Sequence, residues 1–344
     1  MTKKSENVFS RIFNRYFVQA MGSMALGLFA SLIIGLIISQ LSKFPVFSFL
    51  APITEVLGAK SPVIGAAIGV AIAYGLKADA LVIFSAAACG AIGYSAGGGS
   101  GGPVGAYVGA VVGAELGQLV SKKTPVDIIV TPFITIAAGG LAGNFVGPYV
   151  QNFMTLLGQF INQATTLNPL PMGIIVGIIV GMVLTLPISS AALCIMMGLE
   201  GLAGGAATAG CCAQMIGFAV ISYRENGVGG LISQGIGTSM LQVPNIMRHP
   251  QIWIAPTVAS GVCGAVSAWL LGMENIPAGA GMGTSGLVGQ LTMITVMGPK
   301  VGNMTAIITM LCVHFILPAL VALGVNQMLR KLGWVKDGYM KLDV

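Results

Sequence analysis

The amino-acid sequence predicts an all-α polytopic membrane protein with about ten transmembrane helices, two parallel four-helix repeats and two re-entrant hairpins. Three observations carry that expectation. Only 8% of the 344 residues are charged and 55% are hydrophobic, at a mean hydropathy of +0.90. Apolar runs of bilayer-crossing length recur along the chain. There are 50 glycines, which weaken helices in water but let membrane helices approach closely. A soluble domain is roughly 25% charged, so a water-facing fold of this composition could not cover its own surface. Lipid removes that demand.

Spans are expected near 21–41, 62–76, 79–95, 103–120, 128–149, 172–186, 188–205, 206–222, 251–272 and 302–327. The first lacks a small-residue cleavage pattern, so it reads as a span and not as a cleavable signal peptide. Ahead of it, Phe9, Ile12, Phe13 and Tyr16 fall on one helical face beside Arg11 and Arg15. That pattern predicts a cytoplasmic amphipathic N-terminal helix over 1–20, lying on the membrane surface. Residues 21–327 form a single transmembrane transport domain and 328–344 a basic cytoplasmic tail.

The net charge is +6, and placement matters more than sign. With ten spans both termini share a side. Thirteen Lys and Arg then fall on that side (Lys3, Lys4, Arg11, Arg15, Lys77, Lys122, Lys123, Arg224, Arg248, Arg330, Lys331, Lys336 and Lys341), against Lys43, Lys60 and Lys300 on the other. The excess places both termini in the cytoplasm of a multi-pass protein of the bacterial plasma membrane. The basic residues form no face on which a nucleic acid would lie. Cys89, Cys194, Cys211, Cys212, Cys263 and Cys312 sit in apolar stretches, without metal-ligand spacing to His249 or His314, and read as reduced, buried, small hydrophobes. No metal site, cofactor motif, nucleophile–base pair or paired carboxylates emerges, so no catalytic residue is assigned. The Gly-rich stretch 96–103 lacks the Lys of a phosphate-binding loop and predicts a tight turn between spans.

The chain resembles itself. Residues 62–102 laid on 170–210, an offset of 108, match Gly65, Gly69, Gly90, Gly93, Gly97 and Gly102 with Gly173, Gly177, Gly198, Gly201, Gly205 and Gly210. Six matches occur where chance gives about two. The register then shifts, Pro132 meeting Pro256 and Gly140 meeting Gly264. This predicts repeats over 62–149 and 170–272, parallel because each holds four spans beginning on the same side. The extra residues of the second copy lie between Tyr223 and His249.

That insertion holds Gly235-Ile236-Gly237-Thr238-Ser239, and the pattern recurs as Gly281-Met282-Gly283-Thr284-Ser285. One span separates the two, so they enter from opposite faces. Each lies in an apolar segment too short to cross, 228–243 and 276–297, which predicts re-entrant hairpins with tips near the midplane around a watery chamber. Gly235, Gly237, Gly281 and Gly283 would bare backbone groups there. Thr238, Ser239, Thr284 and Ser285 add hydroxyls that both donate and accept. Such a surface suits a neutral polyhydroxy solute, and a nest of N–H groups would also suit an anion. The plain alternative is a helix stop followed by an N-cap. Gln242 and Asn245 follow as partners for hydroxyls, and Arg248 and His249 as a membrane-side anchor and a helix-start residue or as anion ligands. Among charges inside spans, which cost roughly 2.5–3.5 kcal/mol at the bilayer centre, Glu115 reads as interfacial. Glu200 reads as a proton or hydroxyl partner with small neighbours. Asn144 and Gln214 read as helix–helix glue.

The segments Gly-Ile-Gly-Thr-Ser-Met-Leu-Gln-Val-Pro-Asn (235–245) and Gly-Met-Gly-Thr-Ser-Gly-Leu-Val-Gly (281–289) resemble those of enzyme IIC-like membrane proteins of the bacterial sugar phosphotransferase system. The likeness extends to the subgroup with toxin regulators of the perfringolysin-regulator type, and covers nearly the whole chain from about residue 20. The resemblance implies a homodimeric permease for a sugar or sugar derivative, either with IIA and IIB as separate cytoplasmic subunits or with transport that involves no phosphorylation. It makes this chain at most the membrane subunit of that system. The competing readings are a membrane sensor that binds a small ligand and signals to a cytoplasmic partner, and, last, an intramembrane enzyme.

Overall fold

The computed structural model describes residues 8–42, 45–58, 60–99 and 101–342. Lys3, Lys4, Lys43 and Ser100 of the sequence reading lie outside the described residues. Among those described the chain is all-helical, with no strand and one isolated bridge between Gly201 and Asn275. Seven helices are long and apolar enough to cross a membrane: Arg11–Leu41, Ala80–Gly99, Gly102–Val120, Asp127–Thr165, Gly201–Ile221, Pro250–Leu270 and Asn303–Lys331. Pro62–Gly75 and Pro169–Thr185 are shorter and equally apolar. Large apolar side chains such as Phe84, Phe133 and Leu141 point outward along these helices, a surface that only lipid solvates.

Two expectations change. The helix Arg11–Leu41 passes residue 21 without a break, so the amphipathic turns at its start run directly into the span. The spans expected at 188–205 and 206–222 are instead an eight-residue helix, Ser190–Met197, and one long helix, Gly201–Ile221. The cause is local. Gly198 and Gly201 both adopt positive φ, +61° and +62°, a conformation open to glycine and costly for other residues. The glycines read as packing contacts around Glu200 are therefore a helix break.

The chain divides into two compact units. The first holds Met1–Leu32 and Ala59–Gln151. Its helices Pro62–Gly75 and Ala80–Ser95 meet glycine against backbone: a Cβ on Gly69 would lie 2.1 Å from the Ala86 carbonyl oxygen, and one on Gly90 2.1 Å from that of Gly65. At the end of Ala80–Ser95, Gly97, Gly98 and Gly99 all take positive φ, making the turn expected there. Arg15 pairs with Glu115 at 2.7 Å.

The second unit holds Ile33–Gly58 and Asn152–Val344. Its axis is Gly201–Ile221, 94% buried over its apolar window, whereas Asp127–Thr165 reaches only 28%. A helix so enclosed must be small on every side, and its sequence, GLAGGAATAGCCAQMIGFAVI, supplies that. A Cβ on Gly210 would lie 2.1 Å from the Gly177 carbonyl oxygen. The glycines equated by the 108-residue offset do not share partners. Gly65 faces Gly90, Gly173 faces Gly264, and Gly198 faces open space. Five cysteines are buried and free as expected, and Cys312 is exposed.

Candidate functional site

Both Gly-x-Gly-Thr-Ser loops belong to the second unit. The first begins in a wide helical turn, Ser233–Gly237, that ends where Thr238 becomes extended (φ −160°, ψ 141°). The Thr238 hydroxyl then accepts from the Met240 N–H at 3.1 Å, capping the short turn Ser239–Gln242. The second runs from Pro277–Ala280 through a turn into Val288–Val301. Gly283 has φ +54°, and a Cβ there would lie 2.8 Å from the Cys211 backbone carbon. Conformation and close approach both require glycine at that point. Gly281 is held to Ser190, whose hydroxyl donates to the Gly281 carbonyl at 2.6 Å. Gly235 packs near Ala219.

The loops touch. Ser285 Oγ donates to the Gly237 carbonyl at 2.9 Å. Thr238 is 1% exposed and Ser285 3%, so the tips close on one another. Their hydroxyls are spent on protein partners. Ser239 Oγ lies 2.8 Å from Thr185 Oγ1, and Thr185 donates to Gln214 Oε1 at 3.2 Å. Gln214 Oε1 also accepts the Trp253 indole N–H at 2.9 Å, and its amide nitrogen donates to Ser260 Oγ at 3.1 Å. Thr284 and Ser285 both face the Met215 sulfur, at 3.3 and 3.4 Å. A thioether is a weak acceptor, so the Thr284 hydroxyl is held lightly for a group so deeply buried.

The remaining predicted residues do something else. Gln242 donates to Gln234 Oε1 at 2.9 Å and to the Met340 carbonyl at 3.0 Å. Asn245 donates to Gln242 Oε1 and to the Lys341 carbonyl, each at 2.9 Å. His249 stacks on Tyr339, ring centroids 3.7 Å apart and 6° from parallel. Desolvation, then the neighbouring Arg248 charge, lower the His249 pKa below the ordinary 6.5. Glu200 is exposed at the start of Gly201–Ile221 and makes no side-chain cap bond. It belongs to neither loop, because the glycine break moves it out of the helix.

Several residues escaped the sequence reading. Gln234, next to Gly235, is fully buried and donates to Ser222 Oγ and the Gly230 carbonyl, both at 2.9 Å. Asn275 donates to Thr208 Oγ1 at 2.8 Å and to the Gly289 carbonyl at 3.0 Å. Gln290, five residues past Ser285, approaches Cys212 Sγ and His314 Nδ1 at 3.2 Å each. Gln290 Oε1 is buried with no hydrogen-bond partner. A carboxamide beside each motif was a visible signal, since burying one unpaired is costly. No cluster of three or more His, Cys, Asp or Glu suited to a metal occurs among the described residues.

A family model described as "Phosphotransferase system, EIIC" matches residues 18–342. The chain belongs to the EIIC family of the phosphotransferase system. The match spans both units and both Gly-x-Gly-Thr-Ser loops, so the loops are part of the EIIC domain and no appendage to it. With its apolar helices, this makes the EIIC protein a multi-pass membrane permease component. No curated protein and no solved structure matches the chain.

Proposed function

We propose that this EIIC protein moves a neutral polyhydroxy solute of the sugar class through a site between its two Gly-x-Gly-Thr-Ser loops. The Ser285–Gly237 hydrogen bond carries the reading. It joins two glycine-hydroxyl turns at a point surrounded by buried carboxamides. Backbone and hydroxyl groups at such a junction need replacement partners whenever the loops part. Sugar hydroxyls both donate and accept, so they substitute for Thr238, Ser239, Thr284 and Ser285 contacts one for one. An anion would not, because the buried polar residues among those described include no Lys or Arg.

The loops lie at membrane depth as re-entrant hairpins, and the occluded arrangement is one state of an alternating-access cycle. The chain acts in the bacterial plasma membrane as a homodimer. Separate IIA and IIB subunits supply the phosphoryl group, a reading supported by membership of the EIIC family.

A thermal-shift panel of sugars, sugar acids and phosphates on the purified protein tests the reading. A neutral sugar should raise the unfolding temperature of the wild type and leave Thr238→Val/Thr284→Val unmoved. A sugar that stabilises both equally removes the loops from the site.

A further inference from the structure

Residues 339–342 lie across the second unit in a way their sequence does not announce. The backbone of Met340 is read on both sides. Its N–H donates to Glu225 Oε2 at 2.7 Å, and its carbonyl accepts from Asn226 Nδ2 at 2.8 Å and Gln242 Nε2 at 3.0 Å. The Leu342 N–H donates to Asn226 Oδ1 at 2.8 Å, and the Lys341 carbonyl accepts from Asn245. Asn226 thus grips two peptide groups with one side chain. The Met340 side chain is fully buried in the unit's apolar core, and Tyr339 stacks on His249.

We infer that Glu225, Asn226, Gln242 and Asn245 form a docking cradle for a turn-forming peptide segment, and that its occupant is the chain's own 339–342 segment, bound as a detachable strap. The segment keeps its own turn bonds, Tyr339 N–H to the Lys336 carbonyl and Lys341 N–H to that of Gly338, each at 3.4 Å, while the cradle's side chains read its main-chain atoms and one side chain inserts. Gly333 and Gly338, at φ +73° and +88°, flank a linker between the strap and the helix Leu317–Lys331 that is exposed except at Val335, which is buried in the same core as Met340. Arg330 reaches from that helix to both Glu225 and Asp337, holding the linker's two ends near the cradle. Beside the strap lies a cleft of about 480 Å³, lined by Asn226, Gly230, Ser233, Lys341 and Leu342 among others. Ser233 opens the first Gly-x-Gly-Thr-Ser loop, so the strap forms one wall of the approach to that loop. The strap also occupies amide hydrogens of Gln242 and Asn245. Its release bares those donors and widens the cleft. The inference stands whether or not the loops bind a sugar, because docking is measured on the strap itself.

Amide hydrogen exchange on the full-length protein in detergent tests it. The Met340 and Leu342 amides should be protected, yet exchange well before those of Gly201–Ile221, showing opening without unfolding. Asn226→Ala should speed exchange at both positions at least tenfold and leave Gly201–Ile221 unchanged. Tyr339→Ala, which leaves the cradle intact, should act in the same direction. A synthetic peptide of residues 337–342 should compete and speed exchange in the unmodified protein, whereas a scrambled peptide should not. Unprotected amides at 340 and 342 would overturn the docking. Release only together with Gly201–Ile221, or indifference to both substitutions and to the peptide, would make the segment a fixed anchor and overturn the strap.

Discussion

The two units use glycine for the same purpose and polar groups for different ones. In both, glycines bring helix backbones into contact, at Gly69 against Ala86 in the first and Gly210 against Gly177 in the second. The buried polar side chains of the first unit, among described residues, are hydroxyls only: Ser31, Ser85, Ser121, Thr131 and Thr135. Ser31 and Thr135 return their protons to carbonyls one turn back, at 2.8 and 2.7 Å. The second unit buries eight carboxamides and His314. A helix-internal hydroxyl bond satisfies itself and needs no tertiary partner. A buried carboxamide has two donors and two acceptor sites to place, and it places them between elements. The first unit is thus built to pack, and the second to hold polar groups between its elements.

That contrast can be broken at several points. The largest effect belongs to the first unit. Gly69→Leu forces a side chain into the Ala86 backbone and should cost about 3 kcal/mol by thermal unfolding in detergent. Solute affinity per folded molecule should not change. Gln214→Leu in the second unit removes four interhelical bonds. At about 0.6 kcal/mol each in a membrane protein, stability should fall by about 2 kcal/mol, and solute affinity should fall with it through Thr185 and Ser239. Ser285→Ala should cost about 1 kcal/mol of stability and at least about tenfold in solute binding, a change of roughly 1.4 kcal/mol. Equal binding losses in the Gly69 and Ser285 variants would erase the distinction between the units.

Smaller effects sharpen it. Glu115→Gln breaks the partly exposed pair with Arg15 and should change stability by less than about 1 kcal/mol. The last prediction concerns pH. The folded pKa of His249 lies below its ordinary 6.5, so the docked strap binds fewer protons at that site than the released one. Its stability is full above that value and falls as pH drops below it toward the lowered folded value. Exchange at Met340, taken relative to the intrinsic amide rate at each pH, should therefore rise by about twofold or more on acidification, and His249→Phe, which keeps the stack, should remove that dependence.

Much of the architecture was legible from the sequence because lipid imposes a blunt rule: apolar stretches of sufficient length become helices. The same rule misled at 188–222. Hydropathy passes over Gly198 and Gly201, but glycine is the residue that takes the positive φ ending a helix, a signal diluted in a chain with 50 glycines. The two loops were legible because a repeated Gly-x-Gly-Thr-Ser in short apolar segments has few other uses. Their closure was not, since Ser285 and Gly237 are 48 residues apart and only folding brings them together. The fate of Gln242 and Asn245 was hidden for the same reason. Their polarity marked them as groups needing partners, but the backbone they hold lies 96 to 98 residues away.

The central claim is that the paired loops of the second unit hold and pass the solute. Uptake of labelled neutral sugars into proteoliposomes, comparing wild type with Thr238→Val/Thr284→Val, tests it most directly. The account predicts saturable uptake by the wild type and loss of most of it in the double variant. Undiminished uptake in the variant, or binding with no passage in the wild type, would contradict it.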